Sequence, residues 1–203
     1  MNAEGSPVNA EQIQAALPAE GWLAEALKRV ADAPSSIERA FPATARHCGR
    51  APLPGLPGWA ADEAARALLL AALPADQAAT QAEALYRYGD AAEKRAVLKA
   101  LPLLPIGDEC VPLLLDAIRA NDTRLVAAAL GPYARHLADA AWRQAVLKCV
   151  FMGIPLSAVH GLAERADAEL GAMLAALAEE RHAAGRELPV DAVALLKRLD
   201  KEA

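Results

Sequence analysis

The sequence predicts an all-α protein, built as a short irregular α-solenoid of HEAT-like helix pairs with an N-terminal helical cap. Hydrophobic residues make up 55% of the 203-residue chain, yet aromatic residues make up only 4%, and alanine supplies much of the apolar content. Alanine loses little entropy in a helix, whereas sheets favour β-branched and aromatic side chains. Apolar residues also recur at helical spacing along the chain, and no segment alternates with period two over a useful length.

Residues 1–50 are predicted to form the helical cap. A short helix over Gln12–Leu17 should stop at Pro18, which is well placed to open the next helix. Ser35–Ser36 have the character of an N-cap for a third helix, and Pro42 should kink or divide that helix.

Residues 51–61 are predicted to form a Pro/Gly-rich loop between the cap and a helical repeat body over residues 62–203. The stretch "GRAPLPGLPGWAAD" holds three prolines and three glycines, which favour turns. It is too apolar for a free linker, so its leucines and Trp59 should lie against the neighbouring surface. Cap, loop and body are therefore expected to form one compact domain.

Two helix pairs in the body share a layout that resembles HEAT repeats. One pair turns at Gly89-Asp90 and the other at Asn121-Asp122, about 30 residues later, within the usual range for helical repeats. Asp90 and Glu93 have the spacing of a capping box, and an arginine follows each turn. Each pair would bury one face on its neighbour, so stability would come from stacking.

Composition excludes several classes of protein. The net charge of -5 argues against a general nucleic-acid binder, because neutralising phosphates requires a basic face. No run approaches the ~20 apolar residues needed to cross a bilayer, so no stable membrane insertion is expected. The first 21 residues lack a basic region followed by an apolar one, so no secretory signal is predicted. Cys48, Cys110 and Cys149 are far apart and predict reduced thiols in a cytoplasmic protein.

No catalytic residue, cofactor or metal site is predicted. His47-Cys48 has no second pair at a metal-binding spacing, and Glu179-x-x-His182 lacks the second motif that a di-iron bundle needs. No serine lies in a nucleophile elbow, and "PGLPG" lacks the lysine and strand context of a phosphate-binding loop. The sequence leans against an enzyme without deciding the question.

Polar side chains on otherwise apolar helices are the candidate groove or partner-binding residues. Helical repeats can line a concave groove with such residues, where a partner or small molecule binds. The competing interpretation is that the cations snorkel over neighbouring helices and tie the turns together. The candidates are Arg87, Tyr88, Arg95, Lys99, Arg124, Tyr133, His136, Trp142 and Lys148.

The run "LKCVFMGIPL" (147–156) ends the helix "DAAWRQAVLKCVFMG". Apolar residues cover most of the circumference of this helix, so we expect it to be central and largely buried. Gly153 and Pro155 break the run, which is too short to anchor the chain in a membrane.

From about Tyr86 to Arg186 the chain resembles the EboA family. The residues that carry the resemblance are "YRYGDAAEKRAVLKALPLLP", the stretch from "NDTRLVAAALGPYARHL" through "WRQAVLKCVFMGIPLSAVHGLAERADAEL", and "MLAALAEERHAAGR". The order Trp-x-Gln-x-Val-Leu-Lys-x-x-Phe-x-Gly-x-Pro-Leu, from Trp142 to Leu156, is the most specific part. His182 stands where the family often has an aromatic residue.

The resemblance implies a bacterial gene cluster for the trafficking or export of secondary-metabolite precursors. In that cluster a prenyltransferase-like membrane protein and several enzyme-like proteins accompany EboA, and proteins of the same cluster are the implied partners. The leading hypothesis is a non-catalytic helical scaffold or adaptor. The alternative is a binding protein or enzyme that acts on a hydrophobic pathway metabolite in a groove between helices.

Overall fold

The computed structural model describes residues 8–202, and this range is all-helical. It contains twelve α-helices and no β-strand, with one isolated bridge between Pro52 and Ala60. The predicted all-α class is therefore confirmed, while the HEAT-like stacking of the helices stays a prediction. The first seven residues, where the predicted cap and the stretch searched for a signal both begin, lie outside the described range, as does residue 203.

The chain divides into two compact units between Leu114 and Leu115, inside helix α7 (Val111–Arg119). Unit 1 holds six further helices: α1 Ala10–Ala16, α2 Gly21–Asp32, α3 Ile37–Cys48, α4 Ala61–Ala71, α5 Ala75–Tyr88 and α6 Ala91–Ala100. Unit 2 holds five: α8 Thr123–Ala129, α9 Asp139–Met152, α10 Leu162–Arg165, α11 Ala168–Ala183 and α12 Val190–Glu202.

Helix α4 forms the centre of unit 1. It contacts α1, α2, α3, α5 and α6, and every residue from Ala61 to Leu70 is buried. Its alanines keep the helix narrow, so neighbouring helices can approach its backbone closely. Burial on all sides also encloses three charged residues of α4, Asp62, Glu63 and Arg66.

Local sequence signals account for several helix ends. The predicted capping box at the start of α6 is confirmed: Asp90 accepts a hydrogen bond from the backbone N–H of Glu93 at 2.8 Å, and Glu93 accepts one from that of Asp90 at 2.9 Å. Asp122 likewise caps α8. Gly153 has φ 69° and ψ 27° at the end of α9, the left-handed conformation that glycine adopts without strain.

Pro42 does not divide its helix, because it lies inside the single continuous helix α3, and a kink at Pro42 stays a prediction. Proline has no N–H, so the backbone carbonyl of Glu38, four residues earlier, loses its usual helical donor. Pro42 is exposed, which lets α3 tolerate the loss. Ser36 occupies the predicted N-cap position of α3 but makes no capping hydrogen bond. The expectation that Pro18 opens α2 was wrong, because α2 begins at Gly21.

The Pro/Gly-rich loop belongs to unit 1, and backbone hydrogen bonds join its two ends. The N–H of Leu53 donates to the carbonyl of Trp59 at 2.9 Å, and the N–H of Ala61 donates to that of Ala51 at 2.9 Å. Leu56 and Trp59 are buried, as expected for an apolar loop that lies against the protein. The structural division falls at Leu114 instead of in this loop, and a boundary between cap and body at residues 51–61 stays a prediction.

Helix α9 is buried on one face only. Trp142, Val146, Cys149 and Val150 are buried, but Phe151 is 68% exposed. The expectation of a helix buried around most of its circumference was therefore wrong for the Phe151 face. The reason is that an apolar pattern along one helix does not show how many other helices will pack against it.

None of the three cysteines, all of which lie in the described range, forms a disulfide bond. Cys110 and Cys149 are buried, and burial raises the pKa of these thiols to about 11 and about 12, respectively. Cys48 is half-buried, and burial raises the pKa of its thiol as well.

Candidate functional site

A cavity of about 330 Å³ lies in unit 1 between helices α3 and α5, and we call it the α3–α5 cavity. The start of α6 completes its wall. The lining residues are Glu38, Phe41, Pro42, Gln81, Ala84, Leu85, Tyr88, Gly89 and Glu93.

Apolar side chains form most of the cavity wall. Phe41 is buried on the α3 side, and Ala84 and Leu85 are half-buried on the α5 side. Tyr88 is 85% exposed, so its ring stands at the rim. Gly89 allows the close turn from α5 to α6: a Cβ at this position would lie 2.6 Å from the Leu85 carbonyl oxygen.

The polar atoms that line the cavity are mainly hydrogen-bond acceptors. Within the described chain, Oε1 of Gln81 is buried and has no hydrogen-bond partner. Glu93 Oε2 accepts the Asp90 N–H at 2.9 Å, and Glu93 Oε1 lies 4.0 Å from Arg66 Nη2. Glu38 is exposed at the mouth.

A buried ion pair on α4 lies behind Phe41. Arg66 Nη1 donates to Asp62 Oδ2 at 2.7 Å, and Arg66 Nε donates to the Phe41 carbonyl at 3.1 Å. The Arg66 guanidinium also lies 5.4 Å from the centroid of the Phe41 ring. Since Arg66 is only 2% exposed, these contacts replace its hydration and fix the position of Phe41.

A second charged cluster joins α4 and α6 to the loop. Lys99 Nζ donates to Glu63 Oε2 and to the Gly58 carbonyl, both at 2.6 Å, and lies 4.1 Å from the centre of the Trp59 ring. Arg95 Nε reaches Glu63 Oε1 at 3.1 Å. Burial lowers the pKa of Lys99, although the charge of Glu63 opposes this effect.

Four of the predicted groove residues lie in unit 1, and one of them lines the cavity. That residue is Tyr88. Arg87 is exposed and pairs with Glu83 one helical turn earlier, while Arg95 and Lys99 are engaged with Glu63.

The other five predicted groove residues lie in unit 2. Arg124 is exposed and bonds to Asp122 at 2.8 Å, on the turn before α8. The rings of Tyr133 and His136 lie 4.8 Å apart. In the described part of the chain, His136 Nε2 and Trp142 Nε1 are buried without hydrogen-bond partners.

Cations in unit 2 bind backbone carbonyls. Lys148 Nζ donates to the carbonyls of Ile118 and Ala120, at 2.5 and 2.9 Å, at the C-terminal end of α7. Arg165 donates to the carbonyls of Ala134 and Leu137, each at 2.9 Å, and its guanidinium lies 4.7 Å from the Trp142 ring centroid. These contacts match the bracing interpretation of the cations; a role in binding a partner stays a prediction.

Sequence reasoning missed most of the cavity lining. Glu38 and Gln81 are far apart in sequence, and nothing local indicates that α3 and α5 face each other. The one usable signal was Pro42, because a proline inside a helix frees a carbonyl that needs another partner.

A second, more open depression of about 310 Å³ lies in unit 2 between α11 and α12. His182, which stands where the resemblance suggested an aromatic residue, is part of its lining together with Arg186 and Leu196.

Residues 8–202 contain neither a metal-binding cluster nor a membrane-spanning helix. No group of three or more His, Cys, Asp or Glu side chains there could hold a metal ion. None of the helices in that range combines the length and apolar character needed to cross a membrane.

Comparison with known protein families shows which family this chain belongs to. A family model described as "Metabolite traffic protein EboA" matches residues 42–197. The chain belongs to the EboA family. The EboA match extends beyond residues 86–186, where the sequence resemblance was best, and it includes the α5 wall of the cavity. No curated protein and no solved structure matches this EboA chain.

Proposed function

We propose that this member of the EboA family is a metabolite-binding protein of a trafficking pathway, and that it holds its cargo in the α3–α5 cavity. The observation that carries this proposal is the cavity itself. Its volume of about 330 Å³ falls at the lower end of the range for small-molecule sites, and its wall is mainly apolar with a few polar groups. The family description, which speaks of metabolite traffic, supports the same assignment.

Binding without chemical change suits this lining. Phe41, Leu85 and Tyr88 provide apolar and aromatic contact, and the polar groups offer hydrogen-bond acceptors that orient a ligand. A carrier of a trafficking pathway has to hold its cargo and release it unchanged. The cavity therefore favours binding of a hydrophobic metabolite over the scaffold role, which was the leading hypothesis from the sequence.

Fluorescence titration with N-phenyl-1-naphthylamine, a neutral apolar dye, tests the proposal. The full chain should bind the dye and raise its fluorescence. Ala84→Phe places a ring in the cavity and should weaken dye binding at least tenfold, because the ring occupies the volume that the dye needs.

The matched control is Ala24→Phe, which makes the same change at an exposed position of α2 away from the cavity. This variant should bind the dye as the native chain does. Absence of dye binding, or equal binding by Ala84→Phe and the native chain, would show that the cavity is not a ligand site.

The second candidate function is a non-catalytic scaffold or adaptor built from HEAT-like pairs, working in the bacterial cytoplasm with proteins of the same gene cluster. Phe151 favours it: this large apolar side chain is 68% exposed on α9, within the motif that carried the family resemblance. Isolated exposed apolar residues are common, so the candidate needs a direct test.

Co-purification with the proteins encoded in the same gene cluster provides that test. If α9 is a docking face, Phe151→Asp should abolish capture of a cluster protein, whereas Val190→Asp, which also replaces an exposed apolar residue but on α12, should not. Equal capture by the two variants would rule out this face.

A further inference from the structure

We infer that the α3–α5 cavity selects an organic cation: an apolar, ring-containing molecule that carries a protonated amine. This inference rests on the proposed function and specifies its ligand class. The polar lining of the cavity, the charge of that lining and the aromatic rim all favour a cation.

The α3 wall supplies two acceptors. The Glu38 carboxylate lies at the mouth, and no ion pair or hydrogen bond engages it within the described chain. The backbone carbonyl of Glu38 also lacks its usual helical donor, because Pro42 has no N–H. Both residues line the cavity, so a donor group on a ligand would find two acceptors on this side.

The α5 wall supplies a third acceptor. Gln81 lines the cavity, and its Oε1 is buried without a partner in residues 8–202. Because Oε1 is buried, the Gln81 side chain has to turn toward the cavity to accept a ligand N–H, and this hydrogen bond would satisfy the acceptor.

The charge of the lining is negative. Glu38 and Glu93 are the only acidic residues among its nine, and neither arginine nor lysine is among them. The nearby cation, Arg66, lies 4.0 Å from Glu93 but is committed to Asp62 and the Phe41 carbonyl. A bound cation would therefore be favoured over a neutral ligand, and an anion would be disfavoured.

The aromatic rim suits a cation as well. Tyr88 is 85% exposed at the mouth, one helical turn from Leu85 in the wall. A tyrosine face attracts an ammonium group that lies within about 6 Å of the ring centroid. Tyr88 can thus contact the charged end of a ligand whose apolar part lies against Phe41 and Leu85.

Three naphthalene probes of similar size test the inference by displacing N-phenyl-1-naphthylamine from the full chain. They are 1-naphthylmethylamine, which is cationic at neutral pH, the neutral 1-naphthylmethanol and the anionic 1-naphthoate. The amine should displace the dye at about fivefold lower concentration than the alcohol, and the carboxylate should be the weakest.

Glu38→Gln should reduce the preference for the amine over the alcohol by roughly two- to fivefold, which is the effect of one exposed charge. Glu25→Gln removes an exposed carboxylate of α2 outside the cavity and should leave the preference unchanged. Dye binding itself should persist in both variants, which verifies that they fold.

The outcomes separate the inference from the proposed function. If the dye binds and Ala84→Phe blocks it, but the alcohol or the carboxylate competes as well as the amine, the cavity is a ligand site and the cation assignment is wrong. The same holds if Glu25→Gln and Glu38→Gln change the preference equally. If the dye does not bind at all, the proposed function fails and the assignment fails with it.

Discussion

Arg66 is the residue that links the core of unit 1 to the cavity. It is a buried cation that bonds to Asp62 and to the Phe41 carbonyl, and Phe41 in turn forms part of the cavity wall. Removing one partner of a buried pair leaves the other charge uncompensated, which costs more than the pair itself contributes. The exposed pair between Arg87 and Glu83 has water as an alternative partner.

Arg66→Met should lower the free energy of unfolding by about 3–5 kcal/mol, because Asp62 would stay buried with only the exposed Arg50, 3.9 Å away, as a cation partner. Arg87→Met, the matched control on an exposed pair, should change it by less than about 1 kcal/mol. Urea unfolding followed by circular dichroism measures both values. Similar losses for the two variants would mean that burial of Arg66 contributes little.

At the residue scale, the sequence reveals partners only when they are close along the chain. Asp90 and Glu93 were paired correctly because a capping box has a fixed spacing. Asp62 and Arg66 have the i, i+4 spacing that usually marks a solvated pair, so their burial could not be predicted from the sequence. Lys148 bonds to carbonyls about thirty residues away, a contact that no local pattern encodes.

At the scale of elements, replacing either of two glycines by alanine is expected to change the stability in opposite directions. Gly89 connects α5 to α6, and a Cβ there would lie 2.6 Å from the Leu85 carbonyl oxygen and 2.9 Å from Glu93 Cβ. Gly171 lies inside α11, where a Cβ would be 3.5 Å from Leu199 Cβ, an ordinary contact distance.

Gly89→Ala should therefore destabilise the protein by about 1–3 kcal/mol, since backbone has to shift to admit the methyl group. Gly171→Ala should be neutral or stabilise by up to about 1 kcal/mol, because alanine favours the helix interior. Thermal unfolding of the two variants in parallel gives the signs. A stabilising Gly89→Ala would contradict the close approach of α5 and α6.

The cap of helix α8 predicts a dependence of stability on pH. Hydrogen bonds from Arg124 lower the pKa of Asp122 from 3.8 to about 2. A pKa lower in the folded state means that the carboxylate stabilises the fold above pH 3.8, and that this contribution is lost as pH falls through about 2. Since the pair is largely exposed, the contribution should stay below about 1 kcal/mol.

Asp122→Asn keeps a good capping residue but removes the titrating charge. Its urea midpoint should lie below that of the native chain at neutral pH, and the difference should shrink as pH falls from 3.8 through about 2. Arg124→Gln should behave in the same way, because it removes the other half of the pair. A difference that persists unchanged in acid would exclude the Asp122 charge as its cause.

Helix existence was predictable at this scale, but helix environment was not. Periodic apolar residues and caps predicted helices along residues 62–203, although not the short helix α10, and the pattern suggested that α9 is central and largely buried. In the structure, α4 is buried from Ala61 to Leu70 although it carries three charged side chains, and α9 exposes Phe151. Burial depends on how many helices surround an element, which the periodicity of that element does not contain.

For the whole molecule, composition and family-specific residues carried the prediction. An alanine-rich, aromatic-poor chain predicted the all-α class, and the motif from Trp142 to Leu156 predicted the EboA family, which the match over residues 42–197 confirms. The α3–α5 cavity was not predicted, because it forms between two helices that are far apart in the sequence of unit 1. Pro42 of α3 is part of its lining.

The central claim is that this cavity binds the ligand, and a methyl chemical-shift map of the full chain with 1-naphthylmethylamine tests it most directly. We expect shifts at the methyl groups of Ala84 and Leu85, with those of Val146 and Leu174 in unit 2 unchanged. Shifts confined to the surroundings of Trp142 and Lys148, with Ala84 and Leu85 unaffected, would contradict the account.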